Sequence, residues 1–211
     1  MPNQKDFRPT EQRRLTRAKM IEATIVLLVR DGFARTSWRR VAEEAGVTGG
    51  VLQYHFGDKA TLLAAVVEHL CEEHARSLRE ATASAAGGSI RERVEAYVEA
   101  AFELMSGPQE IALIELLVGM RNDDAPPVSS PALDVMRETH DDLWRQLFHD
   151  VGIKRARLVA AEHLLFAALH GFEVQRLFEP RLDFAEERAA LIDAMICLLG
   201  GEASPQADQA E

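Results

Sequence analysis

Thr36, Thr48, Gly49, Gly50, Gln53 and Tyr54 lie in one short stretch, and their residue types offer recognition chemistry rather than bond-making chemistry. A hydroxyl at the start of a helix sits beside free backbone N–H groups and favours an oxyanion such as a phosphate oxygen. Thr36 and Thr48 both stand where a short helix is expected to open. Gly49 and Gly50 remove side-chain bulk at the start of the second of those helices, so that its backbone can approach a partner closely. That costs roughly 1 kcal/mol of helix stability per glycine relative to alanine. Gln53 and Tyr54 add hydrogen-bonding groups, glutamine being suited to the N6/N7 edge of adenine.

The elements that must hold these residues are helices. Apolar residues recur at helical spacing and no alternating pattern persists, so the fold class expected is all-α with about nine helices. The spacing predicts a first helix capped by Thr10 and running to about Asp31, then one over Ser37–Ala45 capped by Thr36 or Ser37. Thr48 caps another over about Gly49–His55, and Asp58 caps a long one from Lys59 to near Ala86. Ser89 and Glu92 form a capping-box pair for Ile90–Ser106, and Pro108 opens a helix to about Arg121. After a loop at Asn122–Ser129, Ser130-Pro131 opens a helix to about Asp150. Lys154–Phe178 follows, and beyond Pro180 comes a last helix capped by Asp183 with Glu186 three residues on, ending at Gly200-Gly201. Val41, Ala42, Val47 and Leu52 pack the two short helices across a glycine-containing turn, which is the helix-turn-helix plan with its second helix in the DNA major groove; Phe56 is expected in the core.

Charge is divided unevenly. The 211 residues carry a formal net charge of −10. Residues 1–60 hold 11 Lys/Arg against 7 Asp/Glu, while residues 61–211 hold 13 against 27. A basic head on an acidic body can meet a polyanion at one end, although Arg13, Arg14 and Arg17 also read as a solvated helix face. No apolar run approaches about 18 residues, so no membrane span is expected. The start of the chain has no signal-peptide core, and a cytoplasmic location is expected. Cys71 and Cys197 match neither a disulfide framework nor a zinc spacing. His69/Glu73 and His163/His170 share helix faces, but nothing completes a metal site, and no metal or other cofactor is expected. No nucleophile motif or phosphate loop suggests an enzyme.

The run Asp31-Gly32-Phe33 followed by Thr36 through Lys59 resembles the N-terminal domain of the tetracycline-repressor (TetR) family over about residues 18–70. The resemblance implies a homodimeric, ligand-responsive transcriptional regulator, usually a repressor, on a double-stranded DNA operator. It places Thr36 and Arg39 where the second helix often touches DNA. It puts Thr48, Gly49, Gly50, Val51, Gln53, Tyr54 and His55 on the recognition helix and Lys59 at the usual phosphate-contacting lysine. Glycine replaces the frequent lysine at 49, glutamine the common tyrosine at 53, and Trp38 a small aliphatic residue. The domains expected are 10–57 for DNA binding and 58–201 for effector binding and dimerisation, with flexible tails at 1–9 and 202–211.

Leu158–Phe178 is apolar nearly all round and must be covered on more than one side. Ala161, Leu165, Ala168 and Phe172 of this helix, with Leu191, Met195 and Leu198 of the last, are the expected dimer interface; a single-chain core is the other reading. Phe102, Met105, Leu117, Met120, Trp144 and Phe148, with His140, Glu115, Arg121 and His170 as polar groups, describe a small-molecule pocket and equally an ordinary core. Two other functions remain open. One is an all-α carrier or enzyme with a vestigial DNA head, the other an architectural DNA-binding protein without an effector.

Overall fold

The computed structural model describes residues 7–121, 131–179, 181 and 183–200. Among the described residues the chain forms nine α-helices and no strand: α1 (Phe7–Asp31), α2 (Trp38–Glu44), α3 (Gly49–Phe56), α4 (Lys59–Thr82), α5 (Ile90–Met105), α6 (Pro108–Gly119), α7 (Pro131–Phe148), α8 (Arg155–Phe178) and α9 (Ala185–Leu198). Short 3-10 turns at Phe33–Arg35 and Ala83–Ala85 follow α1 and α4. The loop expected at 122–129, the cap assigned to Ser130, Pro180, the tail at 202–211 and residues 1–6 of the N-terminal arm lie outside the described residues.

Capping chemistry sets most helix starts. Ser37 accepts from the Arg40 amide, Thr48 from Val51, and Asp58 Oδ1 from Thr61 at 2.8 Å. Ser89 and Glu92 close the reciprocal capping box of α5. Two caps are corrected. α1 begins at Phe7, so Thr10 lies inside it. At α9 the N-cap position is Phe184, one residue past the cap expected, with no side-chain cap bond, and the Asp183 carboxylate accepts the Ala185 amide.

The contacts divide the chain into two compact units, one of Met1–Glu73 with Pro108–Asp134, the other of His74–Gly107 with Val135–Glu211. This grouping differs from a division at residue 57, because α6 joins the N-terminal helices. In the first unit Met20, Leu27 and Leu28 of α1, Val41 and Ala42 of α2, Leu52 and Phe56 of α3, Leu62 and Val66 of α4, and Leu113 and Leu116 of α6 are buried. Each large apolar side chain removed from water contributes about 1.5–3 kcal/mol. The second unit is centred on Tyr97, Trp144, Phe148, Leu165, Leu169 and Met195. Trp144 donates its indole N–H to the Leu158 carbonyl at 3.0 Å, which satisfies the one polar atom of that ring.

Candidate nucleic-acid interface

The helix-turn-helix is built by Gly46, whose φ of 61° turns the chain out of α2. The Val47 amide bonds to the Ala42 carbonyl and Thr48 then opens α3. Leu52 and Phe56 anchor α3 inward, while Gly49, Gly50, Val51, Gln53 and Tyr54 are exposed, Tyr54 by 70%. Neither glycine has positive φ. A methyl on Gly49 would meet nothing within 4 Å, and one on Gly50 only the Thr48 hydroxyl at 3.8 Å. The fold requires glycine at neither position. Two residues that weaken a short helix therefore leave its outer N-terminal face flat and open, with the first amides lacking an intrahelical acceptor.

Charge gathers beside this face from α1. The Arg13 guanidinium lies 5.3 Å over the Tyr54 ring and that of Arg17 lies 5.2 Å over Phe56. Tyr54 meets His55 edge-on at 5.4 Å. Burial first, then Arg13 and Arg17, lower the His55 pKa. The sequence left these arginines as a possible solvated face; their spacing of four along α1 was the signal that both point one way. Arg39 is exposed with its Nε 3.7 Å from Glu43, and Lys59 holds its ammonium 4.9 Å over the Phe33 ring.

Thr36 is corrected. It is buried, its hydroxyl donates to the Gly32 carbonyl at 2.9 Å, and Ser37, not Thr36, caps α2. It braces the turn out of α1 and presents no group to a partner.

In the second unit, the interface expected on α8 and α9 is also corrected in part. Ala161, Leu165 and Met195 belong to the interior, and Ala168, Phe172, Leu191 and Leu198 are half-buried. The outward face of α8 is instead Ala160, Leu164, Ala167, Gly171, Val174 and Phe178, and that of α9 includes Ala190 and Ala194. Of the residues expected around a pocket, Met105, Trp144 and Phe148 are packed in the second unit's core and Phe102 touches Phe172 edge-on. His170 is exposed, bonded to the Phe166 carbonyl, and Leu117 and Met120 belong to the first unit. His140 is the buried polar group. Its Nδ1 lies 2.9 Å from the Tyr97 hydroxyl and its Nε2 2.9 Å from Nε2 of His74. Burial first, then the neighbouring histidines, depress these groups to about 3 for His140 and about 4 for His74, so both rings are neutral at pH 7. His69 Nε2 lies 3.2 Å from Glu22 Oε1. No group of three or more His, Cys, Asp or Glu able to hold a metal occurs among the described residues, and no described helix is long and apolar enough to cross a membrane.

Residues 20–66 match the family model described as bacterial regulatory proteins, tetR family. The chain is similar to the HTH-type transcriptional regulator BetI of Paraburkholderia xenovorans, 36% identical over 101 residues, covering 46% of this chain and 50% of the relative. It is 42% identical over 67 residues to the HTH-type transcriptional regulator TtgR of Pseudomonas putida, covering 32% of each. The chain thus spans half the length of the first of these relatives and a third of the second. Among solved structures it is similar to a protein of Pseudomonas aeruginosa assigned as a transcriptional regulator, with a TM-score of 0.70, 26% identity and coverage of 88% of this chain and 90% of that one.

Proposed function

From a chain that belongs to the tetR family of bacterial regulatory proteins, we propose a cytoplasmic repressor that binds a near-palindromic DNA operator as a homodimer and is released by a small apolar or amphipathic effector. The observation that carries the reading is the outer face of α3, where a Thr48-capped helix end offers Gly49 and Gly50 with Gln53 and Tyr54 exposed behind them. Inserted in a major groove, that end sets its free amides against phosphate while Gln53 and Tyr54 reach base edges. Arg13, Arg17, Arg39 and Lys59 supply positive charge around it. Two copies reading one face of the duplex need their heads roughly 34–36 Å apart, or a multiple of that. The dimer is formed by the uncharged outward faces of α8 and α9. We assign effector binding to the second unit, whose core carries the hydrogen-bonded Tyr97–His140–His74 chain among apolar side chains.

The test is a duplex selected from a random-sequence pool by the purified chain, followed by affinity measurements across salt. Binding carried by phosphates falls steeply with salt, with a slope of about 0.9 per contact. No selected duplex, or one whose binding ignores salt, overturns the reading. A double variant of Gly49→Ala and Gly50→Ala separates function from folding. Thermal unfolding should show a more stable protein, by up to about 1 kcal/mol per site, while affinity for the duplex falls. Affinity unchanged by both methyl groups would mean that nothing approaches this helix end.

A further inference from the structure

One tie between distant parts of the first unit lies outside the helix-turn-helix. Glu115 of α6 accepts a hydrogen bond of 2.9 Å from the main-chain N–H of Phe33, 82 positions away in the sequence. Phe33 opens the 3-10 turn between α1 and α2, where Gly32 adopts a φ of 78° and the turn's first amides have no intrahelical acceptor. The carboxylate fills that vacancy. The fit is close on both sides: a methyl on Gly32 would come within 3.3 Å of Glu115 Oε2, and a methyl on Gly119, one helical turn further along α6, would overlap the Phe33 ring.

The turn itself is wired to both helices it joins. Arg35 donates to the Asp31 carbonyl, Thr36 to the Gly32 carbonyl, and Arg40 of α2 to Asp31 at 2.6 Å. Whatever fixes Phe33 therefore fixes the exit of α1 and the start of α2 together. The same ring lies under the Lys59 ammonium, the first residue of α4 and a proposed phosphate contact.

We propose that Glu115, with Gly119 beside it, is a positioning residue for DNA binding, holding the Gly32–Phe33 turn on α6 and through the Phe33 ring setting the place of Lys59. α6 cannot shift along the head without breaking this hydrogen bond or carrying the turn with it. This rests on the DNA-binding function proposed above, and its failure is distinguishable from failure of that function. A wild-type chain that selects no duplex sinks the function, whereas the inference concerns variants tested on a duplex the wild type does bind.

The experiment measures affinity and its salt slope for wild type, Glu115→Ala, Glu115→Gln and Gly119→Ala on the selected duplex. Losing the carboxylate should weaken binding roughly tenfold, a fold-change in keeping with one charge-assisted hydrogen bond. It should also lower the salt slope by about 0.9 for each misplaced Lys59. Glu115→Gln keeps an acceptor oxygen and should restore most of the affinity. Gly119→Ala pushes the Phe33 ring from outside and should lower affinity and slope in the same direction, and it carries the test if Glu115→Ala does not fold. Unchanged affinity and slope in both Glu115→Ala and Gly119→Ala, or a Glu115→Gln protein as weak as Glu115→Ala, overturns the inference, because the contact would then be packing without influence on the DNA-facing lysine.

Discussion

Placing arginine at Ala167 should split the proposed dimer into monomers and lower the affinity for the selected duplex by roughly 100-fold or more, the gain that linking two binding modules normally confers. Ala167 lies on the outward face of α8 with Ala160, Leu164, Gly171, Val174 and Phe178. Between Ala160 and Phe178 the exposed positions carry no Asp, Glu, Lys or Arg, and Ala189, Ala190, Ala194 and Cys197 continue the uncharged surface on α9. A helix face meant for water normally carries charge, so a face without it is built for cover. Small residues let a second helix approach, and a methyl at Gly171 would find open space, so nothing within the chain explains that glycine. In the proposed dimer the arginine would bury a guanidinium without a partner while replacing a side chain that is exposed in the single chain. Sedimentation and duplex binding of the same sample decide the matter. A variant that remains dimeric with wild-type affinity would place the interface elsewhere.

The contrast between that face and the one expected from sequence shows where sequence reading stops. The local features were legible: the caps at Ser37, Thr48 and Asp58, the Ser89–Glu92 box, and Leu52 with Phe56 inward on α3 all follow from residue type and spacing over a few positions. Which stripe of α8 turns inward was not, because a helix apolar all round gives no contrast between faces. Neighbouring positions lie about 100° apart on a helix, and so Ala161 and Leu165 sit in the core while Ala160 and Leu164 face out. Thr36 is a similar case one level down. Its residue type suits a helix start, but the 3-10 turn before it folds the hydroxyl back onto Gly32, a contact that depends on the φ of that glycine. The Glu115–Phe33 bond is set by tertiary structure alone, and no local pattern at either residue announces it.

Glu162→Gln should stabilise the protein at pH 8 by on the order of 1–3 kcal/mol and much less at pH 5, as the linkage between pKa and stability requires. Glu162 on α8 is buried to 2% exposure, and its Oε1 has no hydrogen-bond partner. Burial first, then the Asp141 carboxylate, push its pKa up to about 7, with Arg145 pulling the other way. A raised folded-state pKa means that the folded chain holds the proton more tightly than the unfolded one. The favourable contribution is complete below the unfolded value near 4.5 and is lost as pH rises through about 7. Glutamine imitates the neutral acid at every pH and removes that loss. His74 and His140 act with the opposite sign. Their folded pKa values of about 4 and about 3 lie below the ordinary 6.5, so their contribution is complete above 6.5 and is lost as pH falls toward those values. In the wild type the Glu162 and histidine slopes oppose each other between about pH 4.5 and 6.5, whereas the variant should lose the Glu162 contribution and keep the histidine one. Urea unfolding of both proteins at pH 5, 6.5 and 8 measures this directly. A Glu162→Gln protein no more stable than wild type at pH 8 would mean that folding does not disfavour the charged form of this carboxylate.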